Sequence, residues 1–526
     1  SLMPWFDYPA VAAVGNIDRR GHVGEFDVIL ISGDAHVDHP AFAAAVIARS
    51  LEAMGLSVAV IAQPDWRSDA DFRAFGRPRL FFGVTAGAMD SMVANYTAMK
   101  MPRREDRLSP GGQAGLRPKR AATVYTQILR KAFPDSCIIL GGVEASLRRF
   151  AHYDFWEDRI RDPILVDAPA DLLVYGMGEA PLRNIVSAFR DTPRGRPNFA
   201  ERHIPQTCVR VPKGKGTEVV GQLPCRVLPT VEQCRTDPNA FLEMSRILDV
   251  AVRPGGPVLL QTHPKGEVIC FPPSAEDWHA EPSLRNGLSF NRRAHPIYTV
   301  PIPGLEPVQF SIQTHRGCVG TCTFCALSIH QGRQIRSRKP EDLVAEARTF
   351  PTHPDFRGTI PDLGGPSVNM YAWDCRVGGC EAGLCTHPQR CGNLRGTLKP
   401  LADLLTLVAA IPGIRHVFLG SGLRYDLLRE NDWDNLQKIL RNHVSGQLKV
   451  APEHTDRTVL SLMRKGANAS FQDFVHRFRS TVEEMGIKAF LVPYFMTAFP
   501  GSVGRDDALR DLVSQLHVVH EQMQEF

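Results

Sequence analysis

Three cysteines stand close together in Cys318-Val-Gly-Thr-Cys322-Thr-Phe-Cys325. Spacings of x3 and then x2 let one loop turn three thiolates toward a common centre, where soft sulfur suits zinc or iron. Structural zinc loops usually pair cysteines as C-x2-C and need a fourth ligand, a place His315 or His330 would fill. The x3 spacing fits that pattern poorly and favours iron–sulfur chemistry. Three thiolates on a cubane of four irons leave one iron open to bind and activate another molecule, whereas four cysteines make an electron carrier. A second group follows, Cys375-x4-Cys380-x4-Cys385-x5-Cys391. Its Gly-rich surroundings (Arg376-Val-Gly-Gly, Glu381-Ala-Gly-Leu) have no apolar periodicity, so a bound metal is expected to staple them. Four thiolates suit tetrahedral zinc or a fully ligated iron–sulfur cluster; zinc is preferred, in a structural role. Seven of the twelve cysteines lie in this window, and Cys137, Cys208, Cys225, Cys234 and Cys270 are scattered. In a reducing compartment such clustering points to metal rather than disulfides.

Elements able to position these groups are legible on both sides. Asp27–Ser32, Ser57–Ala62, Arg79–Val84, Cys137–Leu140 and Asp171–Tyr175 are short apolar runs, with a helix expected over Pro40–Met54 after the first. Continuous apolar strands alternating with helices predict a parallel sheet covered on both faces, a doubly wound α/β domain over 1–195. Prolines recur through 196–305, where a helix near Pro238–Val252 is expected within an ordered connector that has little core of its own. From Val308 the alternation resumes. Strands are expected at Val308–Thr314, Gly358–Leu363, His416–Gly420, Gln447–Ala451 and Ala489–Met496, with helices between them, clearest at Pro340–Thr349. This second βα series, 306–526, is a barrel or an open sheet, interrupted by a Cys-rich insertion at 372–396.

Composition narrows the function classes. Of 526 residues, 43% are hydrophobic and 22% charged, as in an ordinary globular protein. No apolar run approaches the roughly 18 residues that cross a bilayer. No secretory signal opens the chain, and Ser1-Leu2 before Met3 reads as an expression remnant, so a cytoplasmic protein is expected. The net charge of +5 neither demands nor excludes nucleic acid. The basic stretch Lys100–Arg120 lacks interleaved aromatics and is expected to be a solvated loop.

The cysteine motif, with Phe324 just before its third cysteine, resembles that of radical S-adenosylmethionine (SAM) enzymes. The wider sequence resembles the YgiQ family of radical SAM proteins. It does so in Ser311-Ile-Gln-Thr-His-Arg-Gly-Cys318, Gln331-Gly-Arg-Gln-Ile-Arg-Ser-Arg338, Asp362-Leu-Gly-Gly-Pro-Ser-Val-Asn-Met-Tyr371, Gly420-Ser-Gly-Leu-Arg-Tyr-Asp426 and Lys449-Val-Ala-Pro-Glu-His454. The resemblance implies a partial (β/α)6 barrel in which Cys318, Cys322 and Cys325 hold a 4Fe–4S cluster that binds SAM. A low-potential donor such as flavodoxin or ferredoxin would reduce the cluster, and a 5′-deoxyadenosyl radical would follow. Gly364 and Gly365 match the place of the family's glycine motif near the methionine amine, although Pro366 replaces the usual acidic residue. Ser421 and Arg424 are candidates for ribose or carboxylate contacts, the alternative being a capped turn with a solvated arginine. Five strands are counted from Val308 to Met496, followed only by an amphipathic stretch, Ala508–Met523. The chain is therefore expected to stop before a sixth strand.

Ile139-Leu-Gly-Gly-Val-Glu-Ala-Ser146 and Val174-Tyr-Gly-Met-Gly-Glu179 resemble strand-end motifs of cobalamin-binding domains. A base-off cobalamin site would carry Asp-x-His-x-x-Gly. Asp34-Ala-His-Val-Asp-His39 has Asp34 and His36 but places His39 where glycine belongs, so cobalamin is not expected. The competing class is a zinc-stabilised RNA-binding or scaffold protein without radical chemistry. The substrate is not encoded in any motif.

Overall fold

Asp27–Ser32 is apolar at consecutive positions because its strand is covered on both faces. The computed structural model describes residues 10–13, 16–18, 22, 24–192, 195–380, 383–466, 470–516 and 523–526; Ser1–Met3 lie outside them. The chain forms two units, Ser1–Gln309 and Phe310–Phe526. The first is built on strands β1 (Ala10–Ala13), β2 (Asn16–Asp18), β3 (Val28–Ser32), β4 (Val58–Ala62), β5 (Phe81–Thr85), β6 (Cys137–Leu140), β7 (Leu172–Val174), β8 (Thr207–Val211), β9 (Cys225–Val227), β10 (Val258–His263) and β11 (Gly266–Cys270). They form one sheet in the order β9-β10-β11-β8-β7-β6-β5-β3-β4-β1-β2. The six strands from β1 to β7 other than β2 are mutually parallel neighbours, with Val28 opposite both Val58 and Phe81. Side chains alternate between faces. Val28, Leu30, Val58, Val60 and Phe81 pack with Leu51, Ile185 and Phe189 from helices α1 (Ala43–Ala53) and Glu179–Arg190. Ile29, Ile31, Ala59, Ile61 and Phe82 pack on the other face with Tyr125 and Leu129 from helix Ala121–Ala132.

The stretch expected as a connector is part of this sheet. β8 pairs antiparallel with β7, β11 with β8 and β10 with β11. Val209, Val211, Leu260 and Ile269 enter the same core as Val28 and Leu30. Prolines concealed these strands because they stand just outside the ends: Pro205 and Pro212 around β8, Pro224 and Pro229 around β9, Pro257 and Pro264 around β10. At a strand end a missing N–H breaks no ladder bond. The helix expected near Pro238–Val252 spans Pro238–Ala251, with Asp237 capping Asn239 N–H. Pairing also brings Cys208 opposite Cys270, where a disulfide joins residues 62 apart at a Cα separation of 4.0 Å.

In the second unit, β12 (Ile312–Gln313) lies parallel to β14 (Leu363–Gly364), and β13 (Thr359–Ile360) to β15 (His416–Val417). A parallel bridge joins Leu423 to Val450 in β16 (Gln447–Glu453), and β16 is parallel to β17 (Phe490–Thr497). A further strand, β18 (Met523–Glu525), runs parallel to β17 with Phe495 opposite Met523. A strand thus follows the five expected before the chain's last residues: with β13 and β14 counted as one interrupted strand, six parallel segments follow one another in chain order. Met-Gln-Glu is too short and polar to show as an apolar run, and only its pairing reveals it. The preceding helix spans Asp506–Gln515 rather than running to Met523; residues 517–522 lie outside the described set. Helix Pro340–Ala347 starts with Pro at its first turn beside Glu341 and Asp342. It packs with Lys399–Ala409, Trp433–Asn442 and Phe471–Glu484 around one core containing Leu343, Leu405, Leu436, Val450 and Phe474. No helix among the described residues is long and apolar enough to cross a membrane.

The carboxyl ends of β3, β4 and β5 are covered by the chain itself. Ala35 N–H donates to Leu108 O (3.0 Å), and the Gln63 amide donates to Ser109 Oγ (2.7 Å). Gly304 N–H reaches Arg107 O (2.7 Å), and Gly111 N–H reaches Pro301 O (2.8 Å). Lys100, Arg103, Arg104, Arg107 and Lys119 are exposed, as a solvated loop requires, but Arg117 is only 2% exposed. Its guanidinium meets Asp34 at 2.9 Å and Asp106 at 2.8 Å, and Nη1 donates to Ala86 O (3.2 Å). Asp34 also accepts from Ala88 N–H (2.6 Å), and a Cβ at Gly87 would lie 2.1 Å from the Asp34 carboxylate. Burial raises the Asp34 carboxyl and Arg117 opposes it. Removing the shared cation would leave two buried carboxylates uncompensated. Arg117→Met is therefore expected to cost about 3–5 kcal/mol of folding stability, measured by denaturant unfolding. Wild-type stability in the variant would show that the triad does not hold the strap.

Candidate metal centre

The cysteine loop leaves β12 through a turn that only glycine fits. Gly317 has φ +86°, and a Cβ there would lie 2.1 Å from Gln334 O. Cys318 N–H donates to Gly332 O (3.1 Å), and Gly317 N–H to Gln331 Oε1 (3.1 Å). At the far end Thr323 N–H donates to Met463 O (3.1 Å) and its hydroxyl to Leu462 O (3.0 Å). Phe324 packs on Val459, Leu460, Met463 and Phe499. The aromatic before the third cysteine thus anchors the loop in a small core.

Between these anchors the Cys318 and Cys322 thiols lie close to one point. Cys318 Sγ and Cys322 Sγ lie 3.3 and 3.7 Å from the position a Cβ on Gly320 would take, and Arg424 Nη1 lies 3.2 Å from it. Burial raises the Cys318 thiol, opposed by Arg424 and the Gly320 N–H, with Cys322 adding to the rise. Burial also raises Cys325, and Cys318, Cys322 and Glu453 push it further in the same direction. Loading such a site with metal must displace these protons, which makes metal affinity pH-dependent.

Arg424 is buried rather than solvated, which removes the turn-residue alternative. Asp426 accepts from its Nε at 2.7 Å and its Nη2 at 2.6 Å, while Nη1 stands 3.9 Å from Cys322 Sγ. Asn369 fixes the Arg424 backbone by hydrogen bonds of 3.1 and 3.0 Å. Burial opposes ionisation of Asp426, but Arg424 and then Lys465 hold its carboxyl below the usual range. Lys465 itself pairs with Glu453 at 3.0 Å, and Glu453 stands at φ +62° in the last position of β16. A non-glycine residue there is strained backbone.

The two glycines are demanded by packing inside the unit. A Cβ on Gly364 would meet Asp362 Oδ1 and Ser421 Oγ, both at 2.5 Å, and one on Gly365 would meet the His315 ring at 2.4 Å. Asp362 accepts the Ser421 hydroxyl and also the N–H groups of Gly420 (2.8 Å) and Ser421 (3.0 Å). Ser421 therefore orients Asp362 just before β14. His315 places Nδ1 2.8 Å from Thr314 Oγ1, while its buried Nε2 has no hydrogen-bond partner.

In the second cysteine group, Cys375 pairs opposite Leu394, and Cys391 N–H donates to Cys385 O (2.9 Å). Burial, then Cys375, Cys391 and Cys380, push the Cys385 thiol up to about 11, so this thiol feels the other three. Cys385 and Cys391 pack against Val319, Met370, Trp373, Leu394 and Leu427, the cluster that also carries Cys318. Among the described residues no three His, Cys, Asp or Glu side chains form a group that could hold one metal ion. Sequence reasoning missed Asp362, Asn369, Asp426 and the Lys465–Glu453 pair. Asp362 and Asp426 stand in motifs already noted, where a carboxylate close behind an apolar strand was the available signal; Lys465 had none.

Comparison with known proteins agrees with the motif. Residues 13–311 match the family described as Radical SAM N-terminal. A UPF0313 protein of Methanocella arvoryzae is 43% identical, covering 95% of this chain and 83% of its own length. Another, from Porphyromonas gingivalis, is 42% identical, covering 95% and 81%. The radical S-adenosylmethionine methyltransferase TsrM of Kitasatospora setae, solved with tryptophan substrate and the SAM analogue aza-SAM, has a TM-score of 0.54 at 16% identity. It covers 94% of this chain and 72% of that one. The same enzyme solved with cobalamin and a [4Fe–4S] cluster gives 0.53 at 15%, covering 95% and 75%. At these identities the likeness is one of fold.

Burial holds His315 at about 4 against an ordinary 6.5. On acidification the unfolded chain takes the proton first, so the stability linked to neutral His315 is complete above pH 6.5 and lost as pH falls toward 4. His315→Phe is therefore expected to lose about 2 kcal/mol less than wild type between pH 7.5 and 5, as read by urea unfolding. Equal losses would place the imidazole in water.

Proposed function

The chain belongs to the UPF0313 (YgiQ) family of radical SAM proteins, and we propose that its Cys318, Cys322 and Cys325 hold a 4Fe–4S cluster at which SAM is cleaved. The observation that carries this reading is one doubly anchored loop on which Cys318 Sγ and Cys322 Sγ lie close to a single point with Arg424 beside them, and Cys325 follows on the same loop. The donor set fits: three soft thiolates satisfy three irons and leave one for SAM. Such a cluster, once reduced, supplies the electron that breaks the sulfonium C–S bond and yields a 5′-deoxyadenosyl radical able to abstract hydrogen from substrate.

The chain's own residues hold the setting for that chemistry. Arg424, fixed by Asp426, offsets thiolate charge and is the cation best placed to meet a carboxylate. Asp362, oriented by Ser421 just before β14, offers a carboxylate for an amine or hydroxyl, while Gly364 keeps the backbone open around it. This assigns Ser421 a positioning role. Six parallel segments in chain order, β13 and β14 counted as one, support a partial (β/α)6 barrel as the frame. A low-potential donor such as flavodoxin or ferredoxin in the cytoplasm would supply the electron, and the substrate is open.

Cobalamin is a separate question because one TsrM structure contains it. His36 is buried with neither ring nitrogen hydrogen-bonded, which favours a ligand. Asp34, however, is committed to Arg117 and Ala88 N–H, His39 replaces the glycine of the binding motif, and the 106–118 strap lies over the strand ends. These features outweigh the free imidazole, and His36 is not assigned to cobalt.

Anaerobically prepared protein should be brown, absorb at about 400 nm and carry about four irons at the Cys318 group. Cys318→Ala, Cys322→Ala or Cys325→Ala should each abolish that iron and the formation of 5′-deoxyadenosine from SAM. Full iron and full product in any of them refutes the assignment, and zinc without iron would return the chain to the scaffold class. Hydroxocobalamin should show no spectral change on mixing; a His36–cobalt bond would reverse the cobalamin reading.

A further inference from the structure

The basic stretch Lys100–Arg120 has no aromatic side chain in its own sequence, and the fold brings aromatics to it from a hairpin farther along the chain. That hairpin pairs His152–Asp154 antiparallel with Arg159–Arg161. Tyr153 and Phe155 are 49% and 41% exposed while Asp154 between them is buried, the alternation of a strand with one face in solvent. Arg120 meets Asp154 at 2.7 Å and Glu157 at 2.8 Å, which pins the hairpin against the end of the basic stretch. The Phe155 and Trp156 rings stand edge to face with centroids 5.7 Å apart, and the Trp156 ring lies 6.5 Å from that of Tyr96.

Two ammonium groups lie over these rings. Lys100 Nζ is 4.6 Å from the Phe155 centroid and Lys119 Nζ is 5.0 Å from that of Tyr96. Cations and rings therefore form one run from Lys100 through Phe155, Trp156 and Tyr96 to Lys119. The turn bearing Lys100 is closed on itself, since Lys100 N–H donates to Thr97 O (3.0 Å) and Thr97 N–H to Met101 O (2.9 Å). Met99 and Met101 are exposed on either side of Lys100. Arg103 Nε is held by the carbonyls of Val93 (2.8 Å) and Tyr96 (3.0 Å). Nearby acids are engaged elsewhere: Asp106 with Arg117, Glu157 with Arg120, Arg159 and Arg161, and Asp158 with the Tyr153 hydroxyl (2.5 Å). Glu105 is exposed in the same stretch, but among the described residues no carboxylate stands within ion-pair distance of Lys100, Arg103, Arg104 or Lys119.

Cations without carboxylates suit a polyanion, and exposed ring faces suit flat partners. A single strand of nucleic acid supplies both, with phosphates for the ammonium and guanidinium heads and unpaired bases for the rings. A duplex keeps its base faces stacked inside. An anionic membrane favours an apolar face set apart from the cations, whereas here each lysine head lies over a ring. We propose that this surface binds single-stranded nucleic acid, stacking bases on Tyr153 and Phe155 and holding phosphates with Lys100, Arg104 and Lys119. The surface belongs wholly to the first unit, and the proposal does not rest on Cys318, Cys322 and Cys325 holding a cluster.

The test uses the full chain and fluorescence anisotropy of labelled oligouridine RNA and oligothymidine DNA of about 20 nucleotides, beside a duplex of the same length. Wild type should bind single strands with a dissociation constant on the order of 1–10 μM at about 50 mM salt. RNA or DNA binding each supports the proposal, and a preference for RNA would report contact with the 2′-hydroxyl. Tyr153→Ala/Phe155→Ala should weaken binding by about tenfold or more with its salt dependence unchanged. Lys100→Gln/Arg104→Gln/Lys119→Gln should weaken it and flatten the slope of log affinity against log salt by about 2. Wild-type affinity in both variants, or tighter binding of the duplex, overturns the proposal. So does capture by phosphatidylserine vesicles without binding of either oligomer. If a variant does not fold, wild type decides: ultraviolet cross-linking of a bromouridine oligomer should mark Tyr153 or Phe155, and marks confined to other segments refute the assignment. Because binding is read without turnover, its failure and failure of the cluster reading are separate results.

Discussion

A charged guanidinium can stay buried beside two thiols only if something returns the hydration it has lost, and Asp426 does so for Arg424 with two short hydrogen bonds. Much of the second unit's chemistry follows from that pair. The cation opposes the rise that burial imposes on Cys318. Asn369 holds the Arg424 backbone, and it belongs to the segment after β14 that also supplies Met370 against Cys318. Lys465 shares the field of Asp426 and pairs with Glu453, so the end of β16 is joined to Arg424 beside the cysteine loop by one chain of buried charge. Breaking any member leaves a neighbour uncompensated in a poorly solvated place, which is how a few polar residues keep a metal loop in a single geometry.

The first unit meets the same constraint differently. Parallel strands end together, and in an open α/β sheet that edge is where ligands enter. Here Arg117 spans two carboxylates across the edge and a strap of the same chain lies over it. Buried ion pairs fill the ends of these strands, and the sheet grows at its other side through β8–β11. A shared fold does not by itself decide whether a cofactor is shared.

Glycines show how closely the two uses of backbone approach interweave. Gly364 and Gly365 stand where a radical SAM enzyme is expected to open its backbone to SAM, and in this chain the same absence of a Cβ admits Asp362, Ser421 and His315. One residue type serves internal packing and an exposed backbone edge together. Position alone does not tell these apart, and the side chains crowding each glycine do.

What the sequence determined by itself is whatever depends on near neighbours along the chain. The runs Asp27–Ser32, Ser57–Ala62 and Cys137–Leu140 declare buried strands because both faces must be apolar, and the proposal of a metal loop at Cys318, Cys322 and Cys325 starts from a spacing that is local. Pro340 with Glu341 and Asp342 marks a helix start for the same reason. Features decided by tertiary structure have partners far away in sequence. The strands of 207–270 are strands because a sheet edge at β7 accepts them, and β18 is one because β17 offers an unpaired ladder. Cys208 meets Cys270 only through strand register. Arg117 reads as one more surface cation until Asp34 and Asp106 enclose it, and Arg424 as a turn residue until Asp426 and the thiols do. Spacing encodes which groups can act together on one loop, but burial and long-range pairing, set by the whole core, decide which charges are neutralised and which edges are closed.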